Sequence, residues 1–73
     1  MKYFKQYKEA DAVAMEITKE EAQHTLEGWW TDESLEDIFT NDRMFRLYTA
    51  FCIVWTQTED GRVPMAGYYG TVG

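Results

Sequence analysis

His24 lies four residues after Glu20 and three before Glu27, a spacing that on a helix would gather one imidazole and two carboxylates as a divalent cation requires. The same spacing arises freely in any acidic helix. Structural zinc sites carry several Cys or His at set intervals, whereas this chain has one of each. A solvated histidine is the expected reading, with no metal and no cofactor assigned. A lone His outside any Ser-His-Asp or Cys-His pattern also leaves nucleophilic catalysis without a base. Cys52 sits within the six-residue apolar run from Ala50 to Trp55, where a thiol behaves as a small buried hydrophobe. Paired carboxylates could serve as general acid and base, but they need a substrate cleft that a chain of 73 residues rarely encloses. The stretch Gly67-Tyr68-Tyr69-Gly70 matches no phosphate loop or dinucleotide fingerprint. The chain is not expected to be an enzyme.

The carboxylates are more informative as a field than as catalysts. The formal net charge is -6, from 13 acidic and 7 basic residues, which disfavours direct nucleic acid binding and anionic membranes because phosphates must be met by Lys and Arg. That charge is concentrated. Residues 16–42 hold nine Asp and Glu against Lys19 alone, a net of -8, while the segments on either side each carry +1. An apolar run of six residues is far short of the roughly 20 needed to cross a bilayer as a helix. One Cys and no charged n-region followed by an apolar core point to a reducing cytoplasm.

Elements must place these charges. Apolar residues make up 45% and aromatics 16% of the chain, above what a disordered acidic segment carries, so one small domain with a packed core is expected. Thr18 and Glu21 have the spacing of a capping box, with Ile17 and Ala22 at the staple positions, so a helix should start near Lys19. Ala22, Leu26, Trp29 and Trp30 follow at helical intervals, with Glu20, His24 and Glu27 opposite them. Gly28 weakens the last turn. Thr31 and Asp32 can cap a second helix with an apolar stripe of Leu35, Ile38 and Phe39, an outer face of Glu33, Glu36 and Asp37, and a stop at Asn41.

Beyond Asn41 the period changes to two. From Met44 to Thr58 aromatic and β-branched residues alternate, placing Phe45, Leu47, Phe51, Ile53 and Trp55 on one face and Tyr48, Ala50, Cys52 and Val54 on the other. A strand of that length is too long for the domain, so a bend is expected at Thr49 and Ala50. Asp60-Gly61 predicts a two-residue hairpin pairing Glu59 with Arg62, Trp55 with Ala66 and Ile53 with Tyr68. Pro64 then assigns the last strand, about Arg62 to Thr71, to a sheet edge. Tyr3 to Tyr7 and Ala12 to Ile17 read as two further strands, the second with Val13, Met15 and Ile17 on one face. The order is β-β-α-α-β-β-β, an α+β class in which two consecutive acidic helices cover one face of a small, mainly antiparallel sheet.

Adjacent Trp29 and Trp30 cannot both point inward from a helix, and exposed aromatic area is a common anchor at protein interfaces. The near-absence of Lys at i+4 from the helical Glu residues leaves the negative face without internal compensation. These features predict a non-enzymatic protein-binding module whose acidic helices dock on a basic, nucleic-acid-binding surface of a partner protein. Its expected contact residues are Glu20, Glu27, Trp30, Glu33, Glu36, Asp37 and Tyr68. In size and acidity only, the chain is similar to inhibitors that phages and mobile elements direct against restriction and CRISPR nucleases. The alternative is a self-associating homodimer built on the two-sided apolar strand from Phe45 to Trp55 or on the edge strand from Val63 to Tyr69.

Overall fold

Thr18 opens the first helix as its spacing predicts: its hydroxyl accepts the Glu21 N–H at 3.1 Å, and the Glu21 carboxylate accepts the Thr18 N–H at 3.3 Å. The structure, a computed structural model, describes residues 1–65 and 69–71. Its elements in chain order are β1 (Lys2–Tyr7), β2 (Met15–Ile17), α1 (Lys19–Leu26), α2 (Asp32–Thr40), β3 (Arg43–Tyr48), β4 (Cys52–Gln57) and β5 (Tyr69–Thr71). This is the expected α+β order. The strands form a five-stranded sheet in the order β2-β1-β4-β3-β5, with every neighbouring pair antiparallel.

The first helix is shorter than its apolar spacing suggests. Leu26 to Trp29 form a turn in which the Trp29 N–H donates to the Leu26 carbonyl at 3.1 Å. Glu27 at φ -59°, ψ 137° and Gly28 at φ +82° have type II geometry, whose third position needs a positive φ that glycine adopts freely. Trp29 and Trp30 thus leave the helical face. The second helix matches its expected cap and stop. Thr31 accepts the Ser34 N–H at 3.1 Å, Leu35, Ile38 and Phe39 are buried, and Asn41 is the C-cap.

The long apolar segment divides where expected, into β3 and β4 on either side of Thr49–Phe51, and the two strands pair as a hairpin. The Thr49 hydroxyl accepts the Phe51 N–H at 3.1 Å and the Cys52 N–H at 3.0 Å. This turn changes the parity of the alternation. Phe45 and Leu47 on β3 share the helix-covered face with Cys52, Val54 and Thr56 on β4, all buried. Ile53 and Trp55 fall on the opposite face with Arg46 and Tyr48, because directly paired residues point the same way. The expected grouping of Phe45 and Leu47 with Phe51, Ile53 and Trp55 is therefore incorrect. It continued one strand's alternation through a turn.

The final hairpin is also corrected. Both edges of β4 are occupied, by β1 and by β3, so the last strand pairs instead with the outer edge of β3, Phe45 with Tyr69 and Arg43 with Thr71. Its edge position is as expected. Asp60-Gly61 does form a turn, with Gly61 at φ +87°. The loop has three residues, closed by the Thr58 N–H donating to the Arg62 carbonyl at 2.9 Å and the Gly61 N–H to the Thr58 carbonyl at 2.9 Å. The Thr58 hydroxyl donates to the Asp60 carboxylate, and this bond, with Arg62 alongside, holds the Asp60 carboxyl below its ordinary range. The second strand is confined to Met15–Ile17, leaving Val13 exposed in the preceding loop.

The core lies between the sheet and the helices. Tyr3 stacks on Phe39 at 6.1 Å between ring centroids, and Phe39 meets Phe45 edge-on at 5.4 Å. Ala22 and Leu26 from α1, Leu35 and Ile38 from α2, and Leu47, Cys52 and Val54 from the sheet complete it. Burial, with Asp42 and Glu20 nearby, pushes the Tyr3 phenol above its ordinary value.

Candidate functional site

The buried stripe of α2 turns Glu33 and Glu36 outward, and the burial of Ala22 and Leu26 does the same for Glu20 on α1. Glu20 and Glu21 occupy the first turn of α1, Asp32 and Glu33 that of α2, where the positive end of each helix dipole favours a carboxylate. Dipole complementarity explains part of the acidic enrichment. It leaves Glu27, Glu36 and Asp37, which lie outside the first turns.

Glu27 and Glu36 line one groove. Between α1 and α2 runs a groove of about 410 Å³ with Lys19 and Glu27 on one wall, Asp32 and Glu36 on the other, and Leu35 and Phe39 among its lining. Three carboxylates beside the exposed edges of Leu35 and Phe39, with Gln23 and Thr40 completing the lining, suit a cationic side chain whose charged head stays at the rim. Lys19 is partly committed elsewhere, its ammonium lying 3.5 Å from the Asp42 carboxylate.

The expected contact residues have unequal surroundings. Glu20, Glu33 and Glu36 are exposed and form no ion pair among the described residues. A Glu27 carboxylate oxygen lies 3.3 Å from His24 Nδ1. Asp37 bonds the Arg43 guanidinium at 2.7 Å and also accepts from the Asn41 side chain at 3.0 Å, so it ties α2 to β3. Trp30 is half-buried against the core, its indole N–H donating to the Tyr48 carbonyl at 3.1 Å. Its neighbour Trp29 is 48% exposed and meets Phe51, itself 67% exposed, edge-on at 5.8 Å. Tyr68 lies outside the described residues. Among those residues no three His, Cys, Asp or Glu side chains converge as a metal ion would require.

A second surface escapes a reading by charge alone. On the sheet face away from the helices, Phe4 stacks on Trp55 at 5.7 Å and 19°, and the Arg46 guanidinium lies 5.8 Å from the Trp55 ring centre. The Lys8 ammonium lies 5.4 Å from the ring centre of Tyr48. Phe4, Arg46, Tyr48, Ile53 and Trp55 are all half-buried. The signal was present in the alternation of β1 and β4 but required the parity change at the β3–β4 turn to be seen. The molecule thus has an acidic helical side and an aromatic sheet side with a basic excess. No protein-family model, curated protein or solved structure matches this chain.

Proposed function

We propose that the chain is a non-catalytic binding module whose acidic helical side docks on a basic surface of a partner protein, of the kind that otherwise holds nucleic acid. The observation that carries this reading is the groove between α1 and α2, whose lining brings Glu27, Asp32 and Glu36 together with Leu35 and Phe39, beside Lys19, Gln23 and Thr40. A solubilising surface needs charge but no groove to seat it. A partner's Arg or Lys would place its stem on Leu35 and Phe39 and its cation among the carboxylates. The uncompensated Glu20 and Glu33 beside it would steer the encounter at low ionic strength.

Converting Glu20, Glu27, Glu33 and Glu36 to Lys tests the reading. Each exposed charge contact contributes about 0.2–1 kcal/mol, so the quadruple variant should bind its partner at least about tenfold more weakly. A protein captured at low salt should be released at about 0.5 M salt, where the Debye length falls to a few ångströms. It should also be displaced by nucleic acid added in competition. Capture that survives both the quadruple reversal and high salt refutes an acidic docking face.

A further inference from the structure

The open face of the sheet is ordered in a way that its composition alone does not reveal. Glu16 pairs with Phe4, Phe4 with Trp55, and Trp55 with Arg46, so one row runs Glu16, Phe4, Trp55, Arg46 across β2, β1, β4 and β3. At about 4.8 Å between strands the row spans about 14 Å. A two-fold axis lying along the strands, above the boundary between β1 and β4, reverses that row onto itself. Anion meets cation at both ends, and ring meets ring in the middle. The flanking rows obey the same operation: Gln6, paired with Ile53, would face an Ile53, and Lys2, paired with Gln57, would face a Gln57. No like charges are opposed in these rows.

We infer that this face is the interface of a symmetric dimer of the chain, in which Glu16 of each copy pairs with the partner's Arg46 and Phe4 packs on the partner's Trp55. Three features favour a second copy over other occupants. Neither Arg46 nor Glu16 forms an ion pair among the described residues. An apolar partner would bury both charges unpaired, whereas the two-fold operation pairs them. A nucleic acid strand would meet Glu16 within the row and a molecule of net charge -6 behind it. The area fits a weak dimer. The strands that the operation opposes, β1 on β4 and β2 on β3, project about 300 Å² where they overlap, and the side chains standing on them raise this toward the small end of specific interfaces. Face-to-face sheets of this kind pack about 10 Å apart with strands within about 30° of alignment. The helices lie on the other side of the sheet, so the dimer is independent of the acidic docking face.

Sedimentation velocity of the full chain, over about 1 to 200 μM, reads the association; an interface of this size should dissociate in the micromolar range. Glu16→Lys or Arg46→Glu alone makes both symmetry-related contacts repulsive and should raise the dissociation constant by about tenfold or more. The double variant Glu16→Lys/Arg46→Glu restores opposite charges and should restore the dimer, with circular dichroism confirming the fold of each. In the wild-type chain, dilution should shift the indole resonance of Trp55 and leave that of Trp29 unchanged. A strict monomer at the highest concentration overturns the inference. So does a dimer indifferent to both single variants, a double variant that stays folded and monomeric, or dilution shifts at Trp29 in place of Trp55.

Discussion

Replacing Thr49 by Val removes one hydroxyl while keeping the side-chain shape, at the turn that decides which residues of β3 and β4 share a face. That hydroxyl accepts the N–H groups of Phe51 and Cys52 at 3.1 and 3.0 Å and lies 3.3 Å from the Cys52 carbonyl, to which it donates. Cys52 is buried, so its N–H loses its acceptor without access to water, costing about 1–3 kcal/mol. Phe51 is exposed, and its N–H can turn to solvent at a cost below about 1 kcal/mol. The sum is about 1–4 kcal/mol, against a total stability of about 4–11 kcal/mol for a chain this long. At about 4–8 °C per kcal/mol for a domain of this size, Thr49→Val should lower the thermal midpoint by about 5–30 °C, followed by circular dichroism. Thr49→Ser keeps the oxygen and should stay within about 5 °C of the parent. A Val variant within about 3 °C of the parent, or a Ser variant as damaged as the Val, would refute the role given to this hydroxyl.

Gly28→Ala tests the turn between the helices: an added Cβ meets nothing within 4 Å, so only the strain of φ +82° remains. That strain should cost about 1–2 kcal/mol, seen as a shift of the urea midpoint with unchanged slope, and an unshifted midpoint would contradict type II geometry. Tyr3 gives a pH dependence. Its phenol is pushed up in the folded state, so its contribution is fully present below the ordinary tyrosine value of about 10 and is lost as pH rises through the folded value. Stability measured from about pH 9 to 12 should therefore fall less steeply in Tyr3→Phe than in the parent, and equal slopes would assign the alkaline loss elsewhere.

Features settled within a few residues were legible in the sequence. The Thr18 and Glu21 capping box, the Thr31 cap, the stripe of Leu35, Ile38 and Phe39, the Asn41 stop and the division at Thr49 all depend on local backbone chemistry, and each has its expected form. Features set by distant partners were not. The last strand could not reach β4 because β1, from the other end of the chain, holds that edge. The Asp60-Gly61 loop gained a residue because the Thr58 N–H, and not that of Glu59, pairs with the Arg62 carbonyl. At the candidate site, the location of the acidic residues was evident from their count. The groove that Glu27 and Glu36 both line depends on how α1 and α2 pack, and the binding of Asp37 to Arg43 depends on where β3 starts.

The central position of β1 also has a consequence for how the protein is made. Lys2 pairs with Gln57 and Tyr7 with Cys52, so one of the two partners of β1 lies far along the chain from it. Closing that loop costs about 2 kcal/mol more than closing the β3–β4 turn, because its length is about ten times greater. The hairpin of β3 and β4 and the two capped helices can form locally, but the sheet cannot join its halves until both chain segments are free to meet. Folding is therefore expected to be limited by this one long-range pairing. A nascent chain stopped before residue 52 would have acidic helices and no β1–β4 pairing to support them.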